Sequence, residues 1–250
     1  NTDLAGEDEG SDYILSYLPK IEQETFTVGV SYRHYAGRHV QTYVLSHNYL
    51  NDKNLKYRNN DESTEENLTL RLRSTEQKTT FRAENMTTLP GGWTLKEGAE
   101  LNYMDYTDQL VLTGALNDIG EALTENVPDS YRMGIELMLG IKPCKWFQWD
   151  INATWSKNRI KNFVENIPIY DGWNLLDVVS VSHKSTRIAF SPDFLLNNRF
   201  AFTYQGFEAA LQSQFVGKQY MTNAEVEALT LDKYFVSNLN LAYTFKPRKV

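Results

Sequence analysis

Residues 147–158 read FQWDINATWSKN, and their side chains sort by parity. Phe147, Trp149, Ile151, Ala153 and Trp155 share one parity, and Gln148, Asp150, Asn152, Thr154 and Ser156 the other. A strand sends alternate side chains to opposite faces, so this segment is a strand with one apolar and one polar face. The period returns along the chain. Phe26, Val28, Val30 and Tyr32 alternate with Thr27, Gly29, Ser31 and Arg33; Leu68, Leu70 and Leu72 alternate with Thr69, Arg71 and Arg73. Tyr131, Met133, Ile135 and Leu137 alternate with Arg132, Gly134, Glu136 and Met138. Toward the end, Phe207, Leu211 and Phe215 oppose Gln212 and Gln214, and Phe235, Leu239 and Leu241 oppose Asn238 and Asn240. No stretch of comparable length carries a helical period. The pattern predicts an all-β chain of about nine long, antiparallel strands.

The connections are of two kinds. Some are tight: AGRH at 36–39, PGG at 90–92, KPCK at 142–145 and YQG at 204–206. Others are long and polar, at 51–67, 113–130, 162–180 and 222–230. Short and long alternate. Tight turns at one end and long loops at the other is the layout of an outer-membrane barrel, with periplasmic turns and extracellular loops. Alternation by itself also suits a soluble sandwich, whose apolar face is its core. Three features favour lipid: the asymmetry of the loops, the length of the strands, and a polar face rich in Asn, Gln, Ser, Thr and Gly. Tyr and Trp also recur near strand ends (Tyr103, Tyr106, Trp146, Trp155, Tyr204, Tyr220), where a membrane barrel carries an aromatic girdle. The acidic, glycine-containing start suggests a tail or loop over residues 1–23, followed by barrel wall over 24–250.

Composition narrows the classes. The formal charge of the 250 residues is −7, which argues against nucleic acid as a partner, since phosphate backbones need a basic surface. With one cysteine, Cys144, the chain has no intrachain disulfide and no cysteine-rich zinc site. His34 and His39 flank a tight turn and read as a solvated pair, because zinc takes three or four convergent ligands. The loop holding Asp52, Asn54, Asn59, Asn60, Asp61 and Glu62 is rich in oxygen ligands but lacks the glycine and terminal glutamate of a calcium loop. No nucleophile elbow, phosphate loop or HExxH is present, so neither an enzyme nor a cofactor is expected. Candidate ligand residues are Arg71, Arg73, Arg132, Glu136, Asp150 and Asn152, which fall on predicted polar faces and would line a lumen, and the loop aromatics Tyr170 and Trp173. The plainer reading is that the polar residues form cross-strand ladders that stiffen a wall, and that the aromatics pack their loop.

The stretches YMDYTDQLVLTGALNDIGEALTENVPDSYRMGIEL (103–137), WDINATWSKNRIKNF (149–163), AFSPDFLLNNRFAFTY (189–204), LQSQFVGKQYM (211–221) and LDKYFVSNLNLAYTF (231–245) together resemble the late barrel strands of TonB-dependent outer-membrane receptors of the Bacteroidetes type. Residues 24–101 are similar to an earlier strand group of that family. The resemblance implies a plugged outer-membrane barrel that contacts TonB. Such a barrel imports scarce or bulky cargo: siderophores, haem, cobalamin, glycans or peptides. It also implies outer-membrane lipid around the wall and, in some branches, a lipoprotein partner. Against the family pattern, no plug is visible, further strands are expected between Leu95–Asn102 and Tyr106–Leu112, and the last strand is followed by Lys246–Val250. About nine strands form only part of such a barrel. Two other readings stay open: a passive porin-like or structural barrel, and a soluble carbohydrate-binding β module.

Overall fold

The computed structural model describes residues 20–116, 122–172 and 174–245. Its main sheet has ten antiparallel strands. In chain order they are β1 (Lys20–Ala36), β2 (His39–Tyr57), β3 (Leu68–Thr88), β4 (Thr94–Leu116), β5 (Ala122–Cys144), β6 (Phe147–Asp171), β7 (Asn174–Arg187), β8 (Phe194–Tyr204) and β9 (Phe207–Val216). A separate small hairpin of β10 (Gln219–Tyr220) and β11 (Thr230–Leu231) precedes the tenth strand of the sheet, β12 (Tyr234–Tyr243). Neighbours in sequence are neighbours in the sheet, with one exception. The lower part of β6, Phe147–Trp155, pairs with β8, while its upper part, Arg159–Asp171, pairs with β7. The residues expected as an N-terminal tail lie largely outside the described residues, and β1 is already extended at Lys20.

Three of the four tight turns stand where the sequence puts them; the fourth is displaced to Lys145–Trp146, with Lys142–Cys144 still in β5. Gln205 and Gly206 both have positive φ (48° and 86°), the conformation of a two-residue hairpin turn whose twist matches its strands. Two of the expected long loops, 113–130 and 162–180, are instead mostly strand, and the first part of a third, 51–67, is strand as well. β2 runs on to Tyr57, β4 and β5 continue to Leu116 and from Ala122, and β6 and β7 meet in a hairpin at Asp171–Asn174. This accounts for ten strands where about nine were expected. The two segments expected to be separated by further strands, 95–102 and 106–112, are one continuous strand, β4. Polar composition hid these extensions: beyond the membrane a strand meets water on its outer face and has no apolar face to display there. Pro192 lies in the short connection from β7 to β8, outside any strand.

Which face is which follows from register. Arg33, Thr42, Glu84, Met138, Asn152, Asn197 and Gln214 lie along one hydrogen-bonded row from β1 to β9 and line a common concavity. The opposite parity forms the convex face: Val30, Leu45, Phe81, Leu101, Ile135 and Trp155 run along a row three residues away, all of them at least four-tenths exposed. So much exposed apolar surface on one side of a regular sheet is the signature of a lipid-facing wall. On β6 the outward apolar positions span the nine residues Phe147–Trp155, matching the ~9–11 residues with which a tilted strand crosses a bilayer. Aromatic rings cluster along this face: Trp146 stacks on Phe202 at 6.2 Å and Trp155 meets Phe194 at 5.0 Å. Tyr106 and Tyr220, expected in the girdle, stand elsewhere. Tyr106 points to the concave side beneath the Arg132 guanidinium, and Tyr220 belongs to the small hairpin.

Among the described residues β1 pairs only with β2 and β12 only with β9, so the sheet curls without closing. Every residue of β1 and of β12 is exposed. Among the described residues a compact core exists only at the long-loop end, where Val111, Val127, Ile160, Phe163 and Ile188 bury one another and Ala224 packs against them.

Candidate functional site

The concave face encloses a cavity of about 900 Å³ lined from nine strands of the sheet. It is a largely polar trough because most inward positions on these strands are Asn, Gln, Thr, Gly and charged residues, with Val40, Met86 and Met138 as apolar patches between them. The charges alternate in sign across the sheet: Arg33 on β1, Glu84 on β3, Lys96 on β4, Asp150 on β6 and Arg199 on β8. Asp150 and Arg199 are direct cross-strand partners, with Nη1 3.6 Å from Oδ2, and Gln148 Nε2 donates to both Asp150 oxygens at 2.9 and 2.8 Å. Asn152 Nδ2 donates to the Glu136 carboxylate one strand away. Farther along, Thr80 Oγ1 donates to Asn102 Oδ1 at 2.7 Å, and Asn102 Nδ2 donates to Glu100 at 2.7 Å. Glycines keep the wall smooth. A Cβ on Gly98 would press on the Glu84 and Met138 side chains, and one on Gly134 would lie 3.0 Å from the Trp155 carbonyl oxygen.

The residues singled out from the sequence divide into three groups. Asp150 and Asn152 line the trough, and Glu136 joins them through Asn152. Arg132 also points to the concave side, above the trough, 5.3 Å over the Tyr106 ring; its buried Nε has no hydrogen-bond partner among the described residues. Tyr170 is exposed at the end of β6, and Trp173 lies outside the described residues. Arg71 and Arg73 are a correction. Register from Leu72 through Thr87 is unbroken, which puts them on the parity of Phe81 and on the convex side, with Lys53 and Leu55. Pairing them with the leucines of β3 placed the apolar face outside, as holds lower in the strand. Above the belt the outer face meets water, and the arginines take it.

Arg33, Lys96, Asn197, Arg199, Gln212 and Asn238 were not singled out. Parity already placed Arg33, Gln212 and Asn238 on polar faces. That Arg199 stands opposite Asp150 depends on which strands are neighbours, and no local signal carries that.

At the outer end, the hairpin of β10 and β11 is docked by defined contacts. Asn223 is fully buried and its Oδ1 accepts from the Ala189 N–H at 2.8 Å. Glu225 accepts from the Arg187 N–H at 2.6 Å and forms ion pairs with Arg187 and Arg159 at 3.3 and 3.4 Å. Within the hairpin, Lys218 Nζ and the Tyr220 hydroxyl both donate to Glu227, at 2.5 and 2.6 Å. Those two hydrogen bonds hold the Glu227 carboxyl below the ordinary carboxylate range and push Lys218 and Tyr220 up. Asp61, in the loop after β2, is held low by Ser63 and Asn67. His39 and His47 bond to Thr87 and Thr79 at 2.8 and 3.0 Å, and His183 pairs with Glu165 at 3.0 Å.

A trough of paired charges and amides behind a lipid-facing belt is receptor-barrel architecture, and residues 98–250 match the family "TonB dependent receptor-like, beta-barrel". The chain belongs to that family, which comprises transport receptors. No curated protein sequence matches it significantly. Among solved structures it is similar to the FrpB iron transporter from Neisseria meningitidis, at 11% identity and a TM-score of 0.42, over 94% of this chain and 40% of that one. A mutant of the ferric enterobactin receptor PfeA from Pseudomonas aeruginosa matches at 10% identity and a TM-score of 0.32, over 90% and 55% of the two chains. The ferric-catecholate import receptor Fiu from E. coli K12 matches at 12% and 0.32, over 91% and 46%. The chain thus spans about half or less of these proteins' lengths, 40–55%.

Proposed function

We propose that this chain forms the wall and outer hairpins of a Bacteroidetes-type TonB-dependent receptor in a Gram-negative outer membrane, importing a scarce or bulky nutrient of the siderophore, haem, cobalamin, glycan or peptide class. The observation that carries the proposal is the pairing of a polar trough with a lipid-sized apolar outer belt in a chain of this family. The free edges of β1 and β12 support a larger parent barrel, because unpaired backbone N–H and C=O groups are costly in lipid. The trough's mixed charges suit a plug domain or cargo bearing both signs, and import would be driven through TonB. Asp150, Asn152, Arg132 and Glu136 are the wall residues proposed to meet cargo or plug. Tyr170 and Trp173 would meet cargo outside. Exposed Ile167, Ile169 and Val179, which share one face of the β6–β7 hairpin, offer a surface for a lipoprotein partner. Catalysis has no part in this reading.

The test is nutrient-limited growth of a strain lacking the parent gene, complemented with wild type or with Asp150→Ala/Arg199→Ala, with and without TonB. Growth on one limiting nutrient that requires both the gene and TonB is expected, reduced severalfold by the double variant. Uptake that persists without TonB would assign a passive barrel instead. Recovery of the folded protein without detergent would overturn the membrane reading and favour a soluble carbohydrate-binding module.

A further inference from the structure

We infer that Lys53, Arg71 and Arg73, on the convex face of β2 and β3, bind the phosphate of an anionic lipid headgroup. The inference rests on the membrane reading above. Two adjacent outward rows concentrate cations: Glu22–Lys53–Arg73 and Lys20–Leu55–Arg71 run across β1, β2 and β3. Lys53 stands directly opposite Arg73, and like charges in that position repel one another across the ladder. Only part of the charge is answered. Glu22 lies 2.8 Å from Lys53, Lys20 is paired at 3.5 Å with Glu62, and Arg71 at 2.9 Å with Glu65, a strongly exposed residue. Arg73 has no ion-pair partner within 4.0 Å among the described residues. Two other outward cations above the belt are matched, Lys161 by Asp105 at 3.3 Å and Arg159 by Glu225 at 3.4 Å, whereas Lys157 stands alone without a second cation opposite it.

Shape and position agree with charge. Lys53, Leu55, Arg71 and Arg73 line a depression of about 410 Å³. It lies on the lipid-facing side, two outward rows above Phe26 and Tyr49 and beyond the apolar belt, where headgroup phosphates reside. Two guanidinium forks and an ammonium give phosphate oxygens directed, charge-assisted donors. Leu55 supplies an apolar contact for the carbon skeleton of the lipid. A phosphate seated there would also relieve the Lys53–Arg73 repulsion.

The experiment uses the full-length receptor purified in detergent, with native mass spectrometry counting retained lipid. Mixed micelles carry dioleoyl phosphatidic acid in one arm and dioleoyl phosphatidylcholine in another, and a third arm adds inorganic phosphate to the first. Wild type is expected to retain one phosphatidic acid about tenfold better than Lys53→Gln/Arg73→Gln, as expected for losing charge-assisted contacts. It should show no such preference for phosphatidylcholine, and Lys161→Gln should behave as wild type. Equal retention by wild type and the double variant overturns the site. Displacement of the lipid by inorganic phosphate that itself binds overturns the lipid assignment in favour of free phosphate. If the double variant does not assemble, Arg73→Lys, which keeps the charge and loses the fork, must still lower retention. A receptor monodisperse without detergent would instead refute the membrane reading itself.

Discussion

Below and above Trp155, β6 follows opposite rules within one unbroken period. Below, Trp149, Ile151, Ala153 and Trp155 face outward and Asp150 and Asn152 face the trough. Above, Lys157, Arg159 and Lys161 take the outward positions, while inward Ile160 is completely buried. β3 repeats the reversal: Phe81 is outward in the belt, Arg71 and Arg73 are outward above it, and Leu72 turns to the concave side. No bulge separates the two halves of either strand. On the membrane reading proposed above, what changes is the medium outside: hydrocarbon below, water and headgroups above. Polarity therefore reports the surroundings of a face and does not by itself label inside and outside.

Substitution at equivalent outward positions sharpens this contrast most. Leu137→Arg, in the middle of the belt, is expected to cost about 2–4 kcal/mol. Lys157→Leu, outward but above the belt, should stay within about 0.5 kcal/mol. Urea unfolding of the full-length receptor in lipid vesicles measures both, and equal effects would mean that the convex face does not see lipid. The outer half should be breakable by itself. Glu225→Ala leaves the Arg187 N–H and the largely buried Arg159 side chain without their acceptor, a loss of about 1–3 kcal/mol confined to the docked hairpin. Hydrogen exchange over residues 219–231 should accelerate while the belt strands keep their protection.

The smallest expected effect is a pH dependence of that hairpin. Glu227 is held low by Lys218 and Tyr220, so near its ordinary value the folded form binds fewer protons than the unfolded form. Its contribution is therefore complete above the ordinary carboxylate value of about 4.3 and fades as pH falls through the lowered one. The raised Lys218 and Tyr220 contribute up to high pH and are lost only as it rises through their shifted values. Exchange over 219–231 should rise in acid and become insensitive to acid in Glu227→Gln. Persistence of the acid response in that variant would show that Glu227 does not carry it.

Much of this was legible in the chain. FQWDINATWSKN gave its two faces through parity, and AGRH, PGG, KPCK and YQG marked the turn end through residues suited to tight reversals. Asp150, Asn152 and Glu136 stand on the concave face as their parity predicts, because they lie within the apolar belt, where the two faces separate cleanly. Arg71 and Arg73 were misplaced because they lie beyond it. The outer hairpins were missed because strand pairing there rests on backbone hydrogen bonds between polar segments, for which alternation is silent. By itself, then, the sequence determined most of the strands, their two-residue period and the side that carries the apolar belt, since these follow from local geometry and transfer of apolar groups from water. Only the tertiary structure decided that Arg199 answers Asp150, that the Glu225 hairpin docks on Arg187, and that Lys53 faces Arg73. Each of these joins residues whose neighbourhood is set by register and by sheet curvature, which are properties of the whole sheet.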